Sequence, residues 1–152
     1  MLSEDAKEVL KRTQLFSLLS EEEIQQITAT CREESYGAGT VICQQGERSS
    51  SLHVLLSGSV FVERRLELGK GKQARVTIDT LRRGAVFGWS SILEPYVYSA
   101  SAVCREPCRV ISIEGSTLRE WLEKHPAGGC QLVKGLASLL ADRLRATYRA
   151  LE

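Results

Sequence analysis

The sequence reads as a single mainly β domain with flanking α: an antiparallel β jelly-roll barrel (double-stranded β-helix) with N-terminal helices and a long C-terminal helix. Three observations lead there. Between Tyr36 and Ile113, runs rich in β-branched residues recur every eight to twelve residues or so with glycines between them, the spacing of an antiparallel sandwich or barrel. On either side the apolar residues change from a period of two to the 3.6-residue period of helices. Finally, the 152 residues are 43% hydrophobic and 26% charged, an ordinary globular profile in a chain long enough to bury about two-thirds of its unfolded surface. The whole of 1–152 is therefore read as one domain, with N-terminal helices over 1–35, the barrel over 36–114 and C-terminal helices over 115–152.

The first segment is helical because Leu10, Leu15, Phe16, Leu18 and Leu19 recur at helical spacing, and Ser20 with Glu23 forms a capping box that opens a second helix through Ile24 and Ile27. The barrel strands follow as "TVICQQG", "SLHVLLSG", "SVFVERRL", "ARVTIDTLRRG", "SASAVC" and "RVISI", with Val60 and Val62 on one face and Phe61 and Glu63 on the other. After Gly115 the helical period returns in "STLREWLEKHP", capped by Ser116 or Thr117 and stopped by Pro126. The long helix is expected from Gly129 to the end, with Leu132, Leu136, Leu140, Leu144, Thr147 and Leu151 in one apolar stripe widened by Val133, Leu139 and Tyr148. Gly135 weakens it by up to about 1 kcal/mol relative to alanine, so packing must supply its stability.

Twenty basic residues against nineteen acidic ones give a formal charge of +1, so no overall field draws the chain to nucleic acid or to an anionic membrane. The N-terminal "MLSEDAKEVLKRTQLF" breaks every turn with charge and lacks the apolar run of a signal peptide, which gives a cytoplasmic expectation. Cys31, Cys43, Cys104, Cys108 and Cys130 show no C-x-x-C pair, so zinc and redox dithiols are not expected. Cys104 and Cys108 flank a turn at Glu106-Pro107, close enough for a regulatory disulfide to be weighed, although packed reduced thiols are the simpler reading. His53 reads as a packed strand residue and His125 as a helix-end residue, and no catalytic constellation is visible. No catalytic residue and no metal site is expected.

One stretch, "GAVFGWSSILEPYVYSASA" (Gly84–Ala102), has the look of an anion cradle: glycine, an aromatic, a second glycine, then serines. Gly88 permits close approach, and the backbone N–H groups of Trp89, Ser90 and Ser91 at the start of a short helix present partial positive charge. Its only charged residue is Glu94, of the wrong sign. The hairpin residues Arg64, Arg65, Lys70, Lys72 and Arg75 read as a solvated face at a hairpin tip, and whether they or Arg83 supply a compensating cation is the question this leaves open.

The order of parts over roughly residues 13 to 150 resembles the cyclic-nucleotide-binding domain of the catabolite activator protein type, shared by kinase regulatory subunits and gated channels. "LFSLLSEEEIQQI" is similar to the opening helix, "GTVICQQGERSSSLHVLLSGSVFV" to the first strands with Gly39, Gly46 and Gly58, and "LRRGAVFG" to the entry of the phosphate-binding cassette. That cassette runs F-G-E-L-A-L-L, a gap, then R-A/T-A. Here Phe87 and Gly88 match, Trp89 replaces the glutamate, Ser90 and Ser91 continue, Tyr98 replaces the arginine, and Ser99 and Ala100 close the motif. The same alignment puts Val62 and Ile78 on the apolar wall beside the base.

Both charged contacts of the resembling domains are thus replaced. Indole only donates hydrogen bonds, so Trp89 cannot accept from a ribose hydroxyl. Tyr98 can offer one neutral bond where the arginine offers charge-assisted ones worth about 1.5–3 kcal/mol each. The resemblance implies a regulatory sensor for a small-molecule effector, cAMP or cGMP being the family's ligands, with the substitutions favouring a different one. It also implies a homodimer through residues 129–151. A ligand-free docking module, in which Trp89 and Tyr98 fill the pocket with their own rings, is the alternative. So is the sensor half of a transcription regulator, with no DNA contact by this chain, which ends at its long helix without a recognition helix.

Overall fold

The computed structural model describes residues 2–152. Helix α1 (Glu4–Arg12) is capped by Ser3, whose hydroxyl accepts from Ala6 N–H, and buries Ala6, Val9 and Leu10. A run of turns then brings Leu15 and Phe16 inside before α2 (Glu21–Thr28), where the Ser20–Glu23 capping box is formed in both directions. The eight strands are β1 (Arg32–Tyr36), β2 (Val41–Cys43), β3 (Ser51–Ser57), β4 (Val60–Glu67), β5 (Gln73–Leu81), β6 (Val86–Phe87), β7 (Ser101–Cys104) and β8 (Cys108–Glu114). Helices α3 (Gly115–Lys124) and α4 (Pro126–Ala150) complete the chain.

The strands form two four-stranded antiparallel sheets, ordered β1-β8-β3-β6 and β2-β7-β4-β5. The expected jelly-roll layout is present, but it does not close into a barrel. Edge strands β2 and β6 have only three and two residues, too few to carry a hydrogen-bond ladder from one sheet to the other. The sheet region also begins earlier than the expected 36. Arg32–Tyr36 is a strand because it pairs with β8 and an Arg109–Glu33 ion pair of 2.8 Å crosses that ladder.

Strand β3 sits between two cores. Its residues Leu52, Val54 and Leu56 face the helices, joining Leu10, Leu15, Phe16, Ile111, Ile113, Leu118, Leu132 and Leu136. Leu55 joins Val60, Phe87, Tyr98 and Val110 in the second core. His53 is buried, hydrogen-bonded through Nδ1 to Ser112 Oγ at 2.9 Å and stacked on Phe87 with ring centroids 5.0 Å apart. Burial pulls its pKa from 6.5 down to about 4, in keeping with a packed strand residue.

The long helix starts at Pro126, three residues before the expected Gly129. Proline stops α3 and opens α4, because a first-turn residue needs no N–H and the fixed φ suits the helix. Gly135 is explained by proximity: a Cβ there would lie 2.5 Å from the Leu15 carbonyl oxygen and 2.8 Å from that of Gln14. The glycine lets α4 press against the α1–α2 connection. The expected single stripe divides along its length. Leu132, Leu136 and Leu139 are buried, Leu140 leans on the helical core, and Leu144, Tyr148 and Leu151 are exposed.

Candidate functional site

Strand β6 delivers the chain to Gly88, which takes φ +77° and turns it into a 3₁₀ helix over Trp89–Ile92. Only glycine fits here. Besides the left-handed φ, a Cβ would stand 2.5 Å from the Ser51 carbonyl oxygen. Past this turn lies a cleft lined by Cys43, Val62, Phe87, Gly88, Trp89, Ser90, Tyr98, Ser99, Ala100, Ser101, Ala102 and Arg143. Phe87, Gly88, Trp89, Ser90, Tyr98, Ser99, Ala100 and Val62 of the expected set are thus brought together. Its free volume is about 60 Å³, room for a few waters.

Ser91 and Ile78 lie elsewhere. The Ser91 N–H and hydroxyl both turn back to the Gly88 carbonyl, at 3.0 and 2.8 Å, and the residue is fully buried away from the cleft. Ile78 is 55% exposed. A bulge between β4 and β5 pairs Val62 with Asp79 and Glu63 with Thr77, leaving Ile78 as the unpaired extra residue. An ungapped alignment cannot register such a bulge.

The aromatic residues around the cleft are each held by the surrounding structure. The Tyr98 hydroxyl donates to the Ser51 carbonyl at 3.2 Å, and the ring, 7% exposed, is part of the inter-sheet core. Burial raises its pKa, and burial likewise pushes the neighbouring Cys43 thiol to about 12. Trp89 lines the cleft and also packs on the helical core. Tyr96 turns to α3, where the Arg119 guanidinium lies over its ring at 4.3 Å and also donates to the Ser91 carbonyl. This clamp between α3 and the 3₁₀ turn was not anticipated.

Arg83 does not supply a compensating cation. Its guanidinium pairs with Asp5 at 2.6 Å and donates to the Leu56 carbonyl at 3.0 Å, tying the β5–β6 turn to α1. Arg64 donates to the Ser99 carbonyl at 2.6 Å and does not line the cleft. The cation that does is Arg143, from α4, whose guanidinium donates to the Val86 carbonyl. No carboxylate lies within salt-bridge distance of it among the described residues. Burial lowers its pKa, against an opposing pull from Asp79. A signal was present in the sequence: Arg143 follows Leu136 by seven residues and Leu139 by four, so it falls on the inward face of α4.

A family model for the cyclic nucleotide-binding domain matches residues 33–125. The chain belongs to that family. Among relatives of cyclic nucleotide-binding domains, it is 28% identical over 140 residues to a CRP-like cAMP-activated global transcriptional regulator of Mycobacterium tuberculosis, covering 92% of this chain and 59% of that one. It is 30% identical over 136 residues to a cyclic AMP receptor protein of Thermus thermophilus, covering 90% and 59%. The chain therefore spans 59% of the length of either relative. The crystal structure of the Thermus thermophilus catabolite activator protein superposes with a TM-score of 0.73 at 29% identity, over 91% of this chain and 62% of that one. A cyclic nucleotide-binding domain from Methylobacillus flagellatus shares the fold with a TM-score of 0.81 at 24% identity, over 97% and 80%. The first of these relatives is named a transcriptional regulator and the second a cyclic AMP receptor, and no helix among the described residues is long and apolar enough to cross a membrane.

Proposed function

We propose that this cyclic nucleotide-binding domain is the effector-sensing part of a cytoplasmic regulatory protein without catalytic activity of its own. Its effector is a small molecule that enters the cleft behind the 3₁₀ turn. One observation carries the reading: the same cleft is walled by the Gly88–Ser90 turn and by Arg143 of α4, so an occupant touches the sheet and the long helix together. The cyclic nucleotides cAMP and cGMP are the first candidates. They would bind without the usual carboxylate and cassette guanidinium, whose places Trp89 and Tyr98 occupy. Occupancy is passed to α4, whose exposed Val133, Leu144, Tyr148 and Leu151 favour pairing with a second copy of the chain. This chain itself makes no contact with DNA.

Isothermal titration with cAMP and cGMP tests the effector. Saturable binding of either, at any affinity tighter than millimolar, supports the reading. Absence of heat with both removes the cyclic nucleotides as effectors. It favours the second reading, a ligand-free docking module, for which the small free volume and the tied-down Tyr98 phenol speak.

A further inference from the structure

We infer that Arg143 is the anion-binding group of this cleft, moved from the cassette to the C-terminal helix, and that an anionic ligand competes with the Val86 carbonyl for it. The inference rests on the reading of the cleft as an effector site, and adds the ligand's charge, its partner and the way its arrival is felt by α4.

Four observations meet at this residue. Arg143 is the sole charged side chain lining the cleft among the described residues, and the other polar groups there are neutral: Ser90, Ser99, Ser101, Tyr98 and Cys43. Its guanidinium has several donors in a fixed fork, yet its recorded bond is a single one to the Val86 carbonyl, which carries no net charge. A partly buried cation without a carboxylate partner is costly, and an arriving phosphate or carboxylate relieves that cost with paired, charge-assisted bonds. Lastly, Val86 and Phe87 lead directly into the Gly88 turn, so the carbonyl now holding Arg143 and the backbone expected to cradle an anion are adjacent in the chain.

Arg83 is unsuited to this role because Asp5 already pairs with it, and Arg64 because it does not line the cleft. Asp79, on β5 opposite Val62, pulls electrostatically on Arg143. It is exposed, and its Oδ1 already accepts from Thr80 N–H at 2.8 Å, and it forms no ion pair with the guanidinium. In the ligand-free state Arg143 fastens α4 to β6. In the bound state the ligand's anion takes those donors, and the hold of β6 on α4 becomes conditional on the ligand.

The test uses the whole chain with arginine side chains labelled for nitrogen NMR, the Arg143 Nε–H signal being assigned through Arg143→Gln. Probes are cAMP, cGMP, inorganic pyrophosphate and uncharged adenosine. At least one anion is expected to shift the Arg143 signal in a saturable way while adenosine leaves it in place. Arg143→Gln should weaken binding of that anion about tenfold or more, and Arg143→Lys should retain part of it. A pyrophosphate-induced shift without cyclic nucleotide binding keeps the inference and removes the cyclic nucleotides as effectors. Cyclic nucleotide binding with an unmoved Arg143 signal and undiminished affinity in Arg143→Gln keeps the effector reading and overturns this inference. No shift with any of the three anions overturns it as well. The wild-type spectra decide these outcomes even if Arg143→Gln folds poorly.

Discussion

Between Leu132 and Leu139, α4 buries its leucines against β3, β8 and the α1–α2 connection, whereas beyond Arg143 Leu144 is 51% exposed, Tyr148 57% and Leu151 81%. The same helix thus has an inner half that belongs to the core and an outer half that does not, with Arg143 at the border. Apolar content alone does not separate them. What does is the close approach licensed by Gly135, which seats the inner half on the Gln14–Leu15 backbone. The outer half has no such seat in the isolated chain, and its apolar residues are left for a partner. An apolar patch kept in water is a usual mark of an interaction surface.

The largest effect that sharpens this contrast is truncation in the inner half. Leu136→Ala should cost about 2–5 kcal/mol through the cavity it leaves, measured by urea unfolding, and a loss under 1 kcal/mol would break the claim that the inner half is core. Acid acts next, through the sheet on which the inner half rests. His53 has its pKa lowered from 6.5 to about 4 by burial, so between these values the unfolded chain takes up a proton that the folded chain refuses. Stability is fully present above pH 6.5 and falls as pH drops toward 4, by about 3 kcal/mol for this group. Unfolding at pH 7 and pH 4.5 in wild type and His53→Asn should show that slope in the first and its loss in the second.

Gly135→Ala comes third. A new methyl 2.5 Å from the Leu15 carbonyl oxygen should outweigh the gain in helix propensity and cost about 1–3 kcal/mol. A thermal shift upward would mean that the seat is looser than described. The smallest effect on stability belongs to the outer half. Leu144→Glu should change the unfolding free energy by less than about 0.5 kcal/mol while abolishing self-association in sedimentation velocity. An unchanged sedimentation coefficient would show that this face does not pair copies of the chain.

What was legible in the sequence was what local chemistry settles. Ser20 and Glu23 form their box within four residues, and β3, β4, β5 and β8 carry their own alternation and turn glycines. Strand β1 was hidden because "REESY" has no apolar period and becomes a strand only by pairing with β8. Strand β6 is two residues long, below any periodicity. In the cleft, Phe87, Gly88, Trp89, Ser90, Tyr98, Ser99, Ala100 and Val62 were placed by one contiguous motif and one strand face. Ile78 was displaced by a bulge and Ser91 by its own back-bond to Gly88. Arg143 lies some 50 residues from the motif it serves, and the stripe expected through Leu132, Leu136, Leu140 and Leu144 left it off the apolar face. Once Leu139 rather than Leu140 marks the inner face, position 143 follows on the same face.

The central claim is that the cleft's ligand state is read by the outer half of α4. Hydrogen–deuterium exchange along α4, with and without saturating cAMP, tests it most directly. The account predicts that exchange over residues 140–150 changes with ligand while residues 132–139 stay equally protected. A uniform response of both halves, or bound nucleotide with no change beyond Arg143, would contradict it.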